Sequence, residues 1–294
     1  MMMQKFYQKA CESLAAQTLY VVATPIGNLA DITLRSLAVL SQADVICAED
    51  TRVTAQLLAA YGIQGKLLSV REHNERQMAE KVIAALADGQ KVAQVSDAGT
   101  PAVCDPGARL VESVRAAGFA VVPVAGPSAV MAALSVAGVT QPEFYFAGFL
   151  PPKSGERKKR LAQWQDADFP VVMFETPHRI EAALADMAEV LPGRQLVLGR
   201  EISKTFETFL CDTVEAVRER VAADSNQSRG EMVLVLHPAE KAEKDTGLPS
   251  AAQQVLAVLA AELPTKQAAE LAAKISGESK KALYDLALSL KKSS

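Results

Sequence analysis

Apolar runs of strand length alternate with segments of helical period along most of the chain. The pattern predicts strands at 19–23, 45–48, 66–70, 91–96 and 119–124, with helices at 31–40, 53–60, 75–87, 106–117 and 128–137. Strict alternation of strand and helix predicts a parallel sheet covered on both faces. Pro106 suits a first helical turn, because the N–H it lacks has no intrahelical partner there. A second set continues with strands at 144–150, 171–175, 196–199, 207–210 and 231–236, and helices at 155–165, 178–190 and 213–222. The breakers Ala125-Gly126-Pro127 and Thr140-Gln141-Pro142 fall between the sets.

The resulting class is α/β with two lobes. An N-terminal extension is expected over 1–18, one lobe over 19–130, a second over 131–240, a linker over 241–249 and a helical tail over 250–294. Periodicity is weak in the first dozen residues, which predicts a frayed segment. The tail opens on an alanine- and leucine-rich helix at 250–262. Thr265 after Pro264 can cap a second helix, Ser276-Gly277 makes a turn, and Ser279 can cap a third. This is the pattern of a helix-turn-helix, a nucleic-acid-binding candidate, although a plain helical hairpin packed on the enzyme would read the same way.

Composition narrows the function. With 49% hydrophobic and 22% charged residues among 294, the chain has a globular make-up. A net charge of −3 provides no global positive field, so any nucleic acid must be met by local patches. Four cysteines without a CxxC and three histidines without ligand spacing argue against a disulfide framework or a metal centre. No apolar run reaches the roughly 18 residues that span a bilayer, and residues 1–18 lack a signal-peptide core. A cytoplasmic protein with no membrane partner is expected.

Unusual chemistry gathers in the loops after strands, where open parallel sheets bind ligands. Ala23-Thr24-Pro25-Ile26-Gly27-Asn28-Leu29 offers a tight turn and polar side chains without being GxGxxG. In Ala48-Glu49-Asp50-Thr51-Arg52, two carboxylates and a guanidinium either cap a helix or line a polar cleft. Ser96-Asp97-Ala98-Gly99-Thr100-Pro101 combines small residues with proline and lets a ligand approach the main chain; Asp97 can accept from a ribose or an ammonium. Ser128, after Gly126-Pro127, opens a helix whose N-terminus faces the loop cluster. Glu175-Thr176-Pro177-His178-Arg179 brings together a carboxylate, an imidazole and a guanidinium, and an imidazole is a candidate base. Residues 151–160 carry five basic side chains against one acid, either a solvated helix face or a phosphate-backbone patch.

Taken in order, these loops, together with Phe149-Leu150-Pro151 and Pro177-His178-Arg179, resemble the ribosomal-RNA-methylating members of the tetrapyrrole-methylase superfamily. The resemblance covers about 19–237 and the helical tail. It implies two α/β lobes with S-adenosylmethionine bound in the cleft between them. It further implies 2′-O-methylation of a cytidine in small-subunit (16S) rRNA near the decoding centre, and a homodimer. By position it implies donor contacts at Pro25 and Ile26, at Asp97, Ala98, Gly99, Thr100 and Val103, at Ser128 and Ala129, and at Phe174. Ala23, where the family often begins with glycine, and Val103-Cys104, for the commoner Ile-Ser, are departures.

Methyl transfer from a sulphonium mostly requires alignment, but a ribose hydroxyl is a weak nucleophile that benefits from a base. His178 and Glu175 rank first for that role, with Glu201 and Lys204 behind them. Asp50, Arg52, Arg157, Lys158, Arg160 and Arg179 are the RNA-contact candidates. The competing readings are a small-molecule tetrapyrrole methyltransferase and a non-catalytic, nucleotide-responsive nucleic-acid-binding protein.

Overall fold

The computed structural model describes residues 2–239 and 248–292. They form two compact units, one ending at Ala239 and the other holding 248–292. The expected linker falls largely on residues outside those described.

The first unit begins with a helix rather than a frayed segment. α1 (Met2–Glu12) packs on α2 (Leu34–Gln42), and the Tyr7 hydroxyl meets Ser41 Oγ at 2.8 Å. No residue of α1 is buried, which is why its periodicity is weak in sequence. β1 (Thr18–Val22), β2 (Val45–Ala48), β3 (Leu67–Ser69), β4 (Lys91–Gln94) and β5 (Ala120–Val124) form a sheet in the order β3-β2-β4-β1-β5. Every pairing in it is parallel, as the alternation predicts. α2, α3 (Thr51–Ala60), α4 (Glu75–Ala87) and α5 (Ala108–Ala116) cover it. One core cluster gathers Leu19, Val92, Leu86 and Leu110, another Val22, Leu40, Ile46 and Val95.

Two helix starts differ from expectation. α2 begins after a 3₁₀ turn, where Thr33 accepts from the Ser36 amide at 3.0 Å; Thr, not Asp31, supplies the stop-and-start. Pro106 lies in the turn before α5, with Gly107 at φ 127°, so the chain reverses before the helix forms.

The second sheet is mixed. β6 (Tyr145–Phe149) runs parallel to β7 (Val171–Glu175), whereas β10 (Met232–Leu236) is antiparallel to both β7 and β8 (Gln195–Arg200), and β9 (Thr208–Thr213) is antiparallel to β8. α6 (Ala129–Val136) belongs to this lobe: Val130, Ala133 and Ala137 pack on Val172, Val197, Val233 and Val235. The join between lobes therefore falls at Ala125–Ser128, just before the expected boundary. α7 (Ser154–Ala162), α8 (Ile180–Val190) and α9 (Val214–Ala223) close the opposite face.

The second unit holds α10 (Ser250–Glu262), α11 (Thr265–Ser276) and α12 (Lys280–Lys292). Gly277 ends α11 at φ 76°, a left-handed turn that glycine makes without a Cβ clash. Ser279 Oγ accepts from the Ala282 amide, but Thr265 makes no cap; Pro264 precedes the helix directly. Leu256, Ala268, Ala269, Ala272, Leu283 and Ala287 give this unit its own core.

Candidate active site

Parallel pairing brings the carboxyl ends of β3, β2, β4, β1 and β5 to one edge, and the loops after them meet there. Thr24 and Gly99 exchange backbone hydrogen bonds of 2.9 and 3.0 Å, tying the loop after β1 to the loop after β4. Gly99 sits at φ 76°, and an added Cβ would crowd Ile26 at 3.3 Å. Thr100 donates to the Pro127 carbonyl at 3.1 Å, which fixes the same loop to the lobe join. The stretch also holds Ala102 and Cys104 at positive φ, a concentration of unfavourable backbone typical of functional loops.

These loops and the ends of β6, β7 and β10 enclose a cleft of about 440 Å³. Ile26, Asp97, Ala98, Gly99, Thr100, Val103, Ser128, Ala129 and Phe174 all line it. Pro25 does not; it is buried beneath the loop that presents Ile26. Phe149 and Phe174 form an aromatic wall with ring centroids 5.6 Å apart. Ser128 caps α6 and directs that helix N-terminus at the cleft.

A second, more open recess of about 530 Å³ adjoins the first, sharing Glu49, Asp97 and Cys104 with it and adding Asp50, Arg52, Arg71, Glu72 and His73. Asp97 Oδ1 accepts the Asp50 amide at 3.0 Å, so the loop after β4 braces the loop after β2. Burial, then the neighbouring Asp97 and Asp105 charges, raises the Glu49 carboxyl. Burial, with Asp97 adding to it, raises Asp105. Hydrogen bonding from Arg52 holds Asp50 far below the usual carboxylate range.

The proton-handling candidates fare differently. His178 is exposed in the turn after β7 and does not line the cleft. Glu175 does line it, but it pairs with Arg179 at 3.2 Å and takes the Thr176 amide at 2.8 Å; burial raises its carboxyl. Glu201 accepts from Lys204 at 2.9 Å and from the Glu231 amide at 2.8 Å. Burial works to raise Glu201, and these two donors outweigh it and hold it below its ordinary value. Lys204 also reaches Glu231 at 3.1 Å and packs over Gly27, where a Cβ would collide with it. Glu201, Lys204 and Glu231 thus brace one another across this loop.

The basic run is corrected most sharply. Arg157 is only 3% exposed and binds Asp186 at 2.6 Å, together with the carbonyls of Pro151, Pro152 and Ala182. No phosphate can reach it. Lys158 pairs with Glu189 at 2.5 Å, and Arg160 lies over the Tyr145 and Trp164 rings. Arg179 is taken up by Glu175 and the Leu150 carbonyl. Asp50 and Arg52, by contrast, face the open recess. Arg71, His73 and Asp105 escaped the sequence reading; the arginine and histidine follow a three-residue strand with little periodicity to mark its end.

A two-lobed α/β unit with strand-end loops around an aromatic-walled cleft defines a methyltransferase of the tetrapyrrole type. The family model for tetrapyrrole (corrin/porphyrin) methylases matches residues 18–218, and the one for the RsmI C-terminal HTH domain matches 246–291. The fold is that of cobalt precorrin-4 methyltransferase, at TM-score 0.55 and 18% identity over 75% of this chain and 95% of that one. The methyltransferase CobJ is similar, at TM-score 0.56 and 20% identity over 75% and 94%.

The chain belongs to the ribosomal RNA small subunit methyltransferase I family. It is 71% identical to the protein of that name from Neisseria meningitidis serogroup B, over 99% of each chain. It is 46% identical to that of Pseudomonas aeruginosa, over 94% of this chain and 98% of the relative, and 47% identical to that of Escherichia coli O157:H7, over 92% and 94%.

S-adenosylmethionine is the methyl donor of this family, and the cleft fits it. Its volume lies within the roughly 300–1,000 Å³ usual for small-ligand sites. The Phe149–Phe174 wall suits a flat base, and Asp97 supplies negative charge for a cationic donor. Among the described residues, no group of three or more His, Cys, Asp and Glu side chains is arranged to hold a metal ion. No helix there is long and apolar enough to cross a membrane.

Proposed function

We propose that this chain methylates the 2′-hydroxyl of a cytidine in small-subunit (16S) rRNA near the decoding centre. The observation that carries the reading is the adjoining pair of cavities. One is apolar-walled and sized for the donor; the other is open, polar and large enough for a nucleotide. Support also comes from relatives named as ribosomal RNA methyltransferases along the full chain.

When bound, S-adenosylmethionine supplies an activated methyl group. The chain's task is alignment. Phe174 and Phe149 hold the base, Ile26 and Val103 the apolar flank, and Asp97 the ribose or the ammonium. The loop Ala98–Thr100 and the Ser128–Ala129 turn close the near side. Asp50 and Arg52 meet the RNA at the recess. The three-helix tail adds a second contact to the subunit. The enzyme works in the cytoplasm as a homodimer; the exposed Met131 and Val136 of α6, with Phe144 and Tyr145 at the edge strand β6, offer an apolar surface for a second copy.

The test is an incubation of methyl-labelled S-adenosylmethionine with the protein and three acceptors: small subunits lacking the modification, naked rRNA and a porphyrinoid. Label in either RNA acceptor is expected. Label in the porphyrinoid alone would reverse the substrate class, and binding without label would make the protein a non-catalytic sensor.

A further inference from the structure

Glu49 stands at the seam of the two cavities. It is one of three side chains that line both, with Asp97 and Cys104. The other two are poor proton acceptors there. Asp97 already braces the Asp50 amide, and burial beside Asp105 pushes the Cys104 thiol up, away from thiolate. The Asp97 amide faces the Glu49 carboxylate and works to lower it. A carboxylate has about four lone-pair positions, so capacity remains.

Resting on the methyl-transfer reading above, we propose that Glu49 is the base that takes the proton of the ribose hydroxyl. The recess side offers Arg52, Arg71 and His73 to a phosphate-bearing strand, and the cleft side holds the donor. A hydroxyl presented between them lies beside Glu49, which lines both cavities. The O–H bond breaks and its proton passes to a Glu49 Oε as the oxygen bonds the methyl carbon; the methyl–sulfur electron pair stays on sulfur. Hydroxyl, carboxylate and sulphonium thus become ether, carboxylic acid and thioether, and charge balances.

The surroundings suit the task. Burial, then the Asp97 and Asp105 charges, raises the Glu49 carboxyl, with the Asp97 amide and Arg71 opposing. A base whose proton affinity lies nearer working pH is the stronger catalyst. The carboxylates of the other lobe are committed elsewhere: Glu175 to Arg179, and Glu201 and Glu231 to Lys204.

The test compares Glu49→Gln with wild type in the full chain. Donor affinity by calorimetry, melting temperature, and single-turnover transfer to unmodified small subunits across pH are measured. Glu49→Gln is expected to slow transfer by about 10²–10⁴-fold, the usual weight of a general base. Donor affinity should stay within about threefold, melting should not fall, and the acid limb of the wild-type rate profile should vanish. In the protein alone, carboxyl-selective NMR should find Glu49 titrating above ordinary glutamate, and Asp105→Asn should bring it down. Near-wild-type transfer by Glu49→Gln overturns the proposal, as does a comparable loss in His178→Ala. Lost donor binding or a lower melting temperature would make Glu49 a donor-site or structural group and overturn it too. A wild-type protein that labels no RNA fails the functional reading itself, and the proposal with it.

Discussion

Replacing Arg157 with alanine separates a folding role from an RNA-binding one. The guanidinium is 3% exposed and donates to Asp186 from Nε at 2.7 Å. Breaking a buried pair by removing one partner costs about 3–5 kcal/mol. Asp186 keeps Ser154 Oγ at 2.9 Å and Lys158 Nζ at 3.7 Å, which offsets part of the loss. Three carbonyls also lose a donor. A net loss of about 2–4 kcal/mol follows, toward the lower side of that range because Asp186 is not abandoned. At roughly 2–4 °C per kcal/mol for a unit of this size, melting should drop by ~4–16 °C. Calorimetry measures that drop, and subunit affinity across salt measures the alternative. A phosphate contact would lower the salt slope by about 0.7–0.9 per residue lost. An unchanged melting temperature together with a reduced salt slope would refute the burial argument; Asp186→Ala combined with Arg157→Ala should recover part of the loss if the pair is the cause.

Phe174→Ala should weaken S-adenosylmethionine binding by about 2–12-fold, the worth of one aromatic contact of about 0.5–1.5 kcal/mol, read by calorimetry. Glu201 is held below its ordinary value of 4.5, so it contributes stability that is present above that value and is lost as pH falls through its folded range. Glu201→Gln should therefore flatten the acid side of a melting-temperature-against-pH curve and leave the alkaline side level; an unchanged acid slope counts against the Lys204 and Glu231 contacts. A chain ending at Ala239 should keep its donor affinity and lose subunit affinity, measured by sedimentation; equal subunit binding would leave the tail without an RNA role.

Much of this was legible in the chain. β1, β2 and β4 announce themselves because each is a short run between turn signals, buried almost throughout by helices on both faces; β5, at the sheet edge and half-exposed, is still marked by its valines. The mixed pairing of the second sheet was not, because an apolar run carries no direction. The loops that line the cleft were legible by composition, Gly99 above all, since its left-handed backbone favours that residue. Arg157 was misread because sequence shows four successive basic residues and not the Asp186 that faces one of them from α8. Glu49, Arg71, His73 and Asp105 lie far apart in sequence and converge only because β2 sits between β3 and β4. That strand order has no local signature. His178 and Glu175 stand out in sequence because an imidazole and a carboxylate share one strand-end loop, whereas Glu49 stands out only through Asp97 and Asp105, which the fold brings beside it.

If the paired cavities deliver a methyl group to a ribose oxygen, the product is a 2′-O-methylated nucleoside. Nucleoside analysis of small-subunit RNA after reaction with labelled donor tests it most directly. Label is expected in 2′-O-methylcytidine, resistant to alkaline cleavage at its 3′ phosphate. Label on a base carbon or nitrogen, with none on ribose, would contradict it.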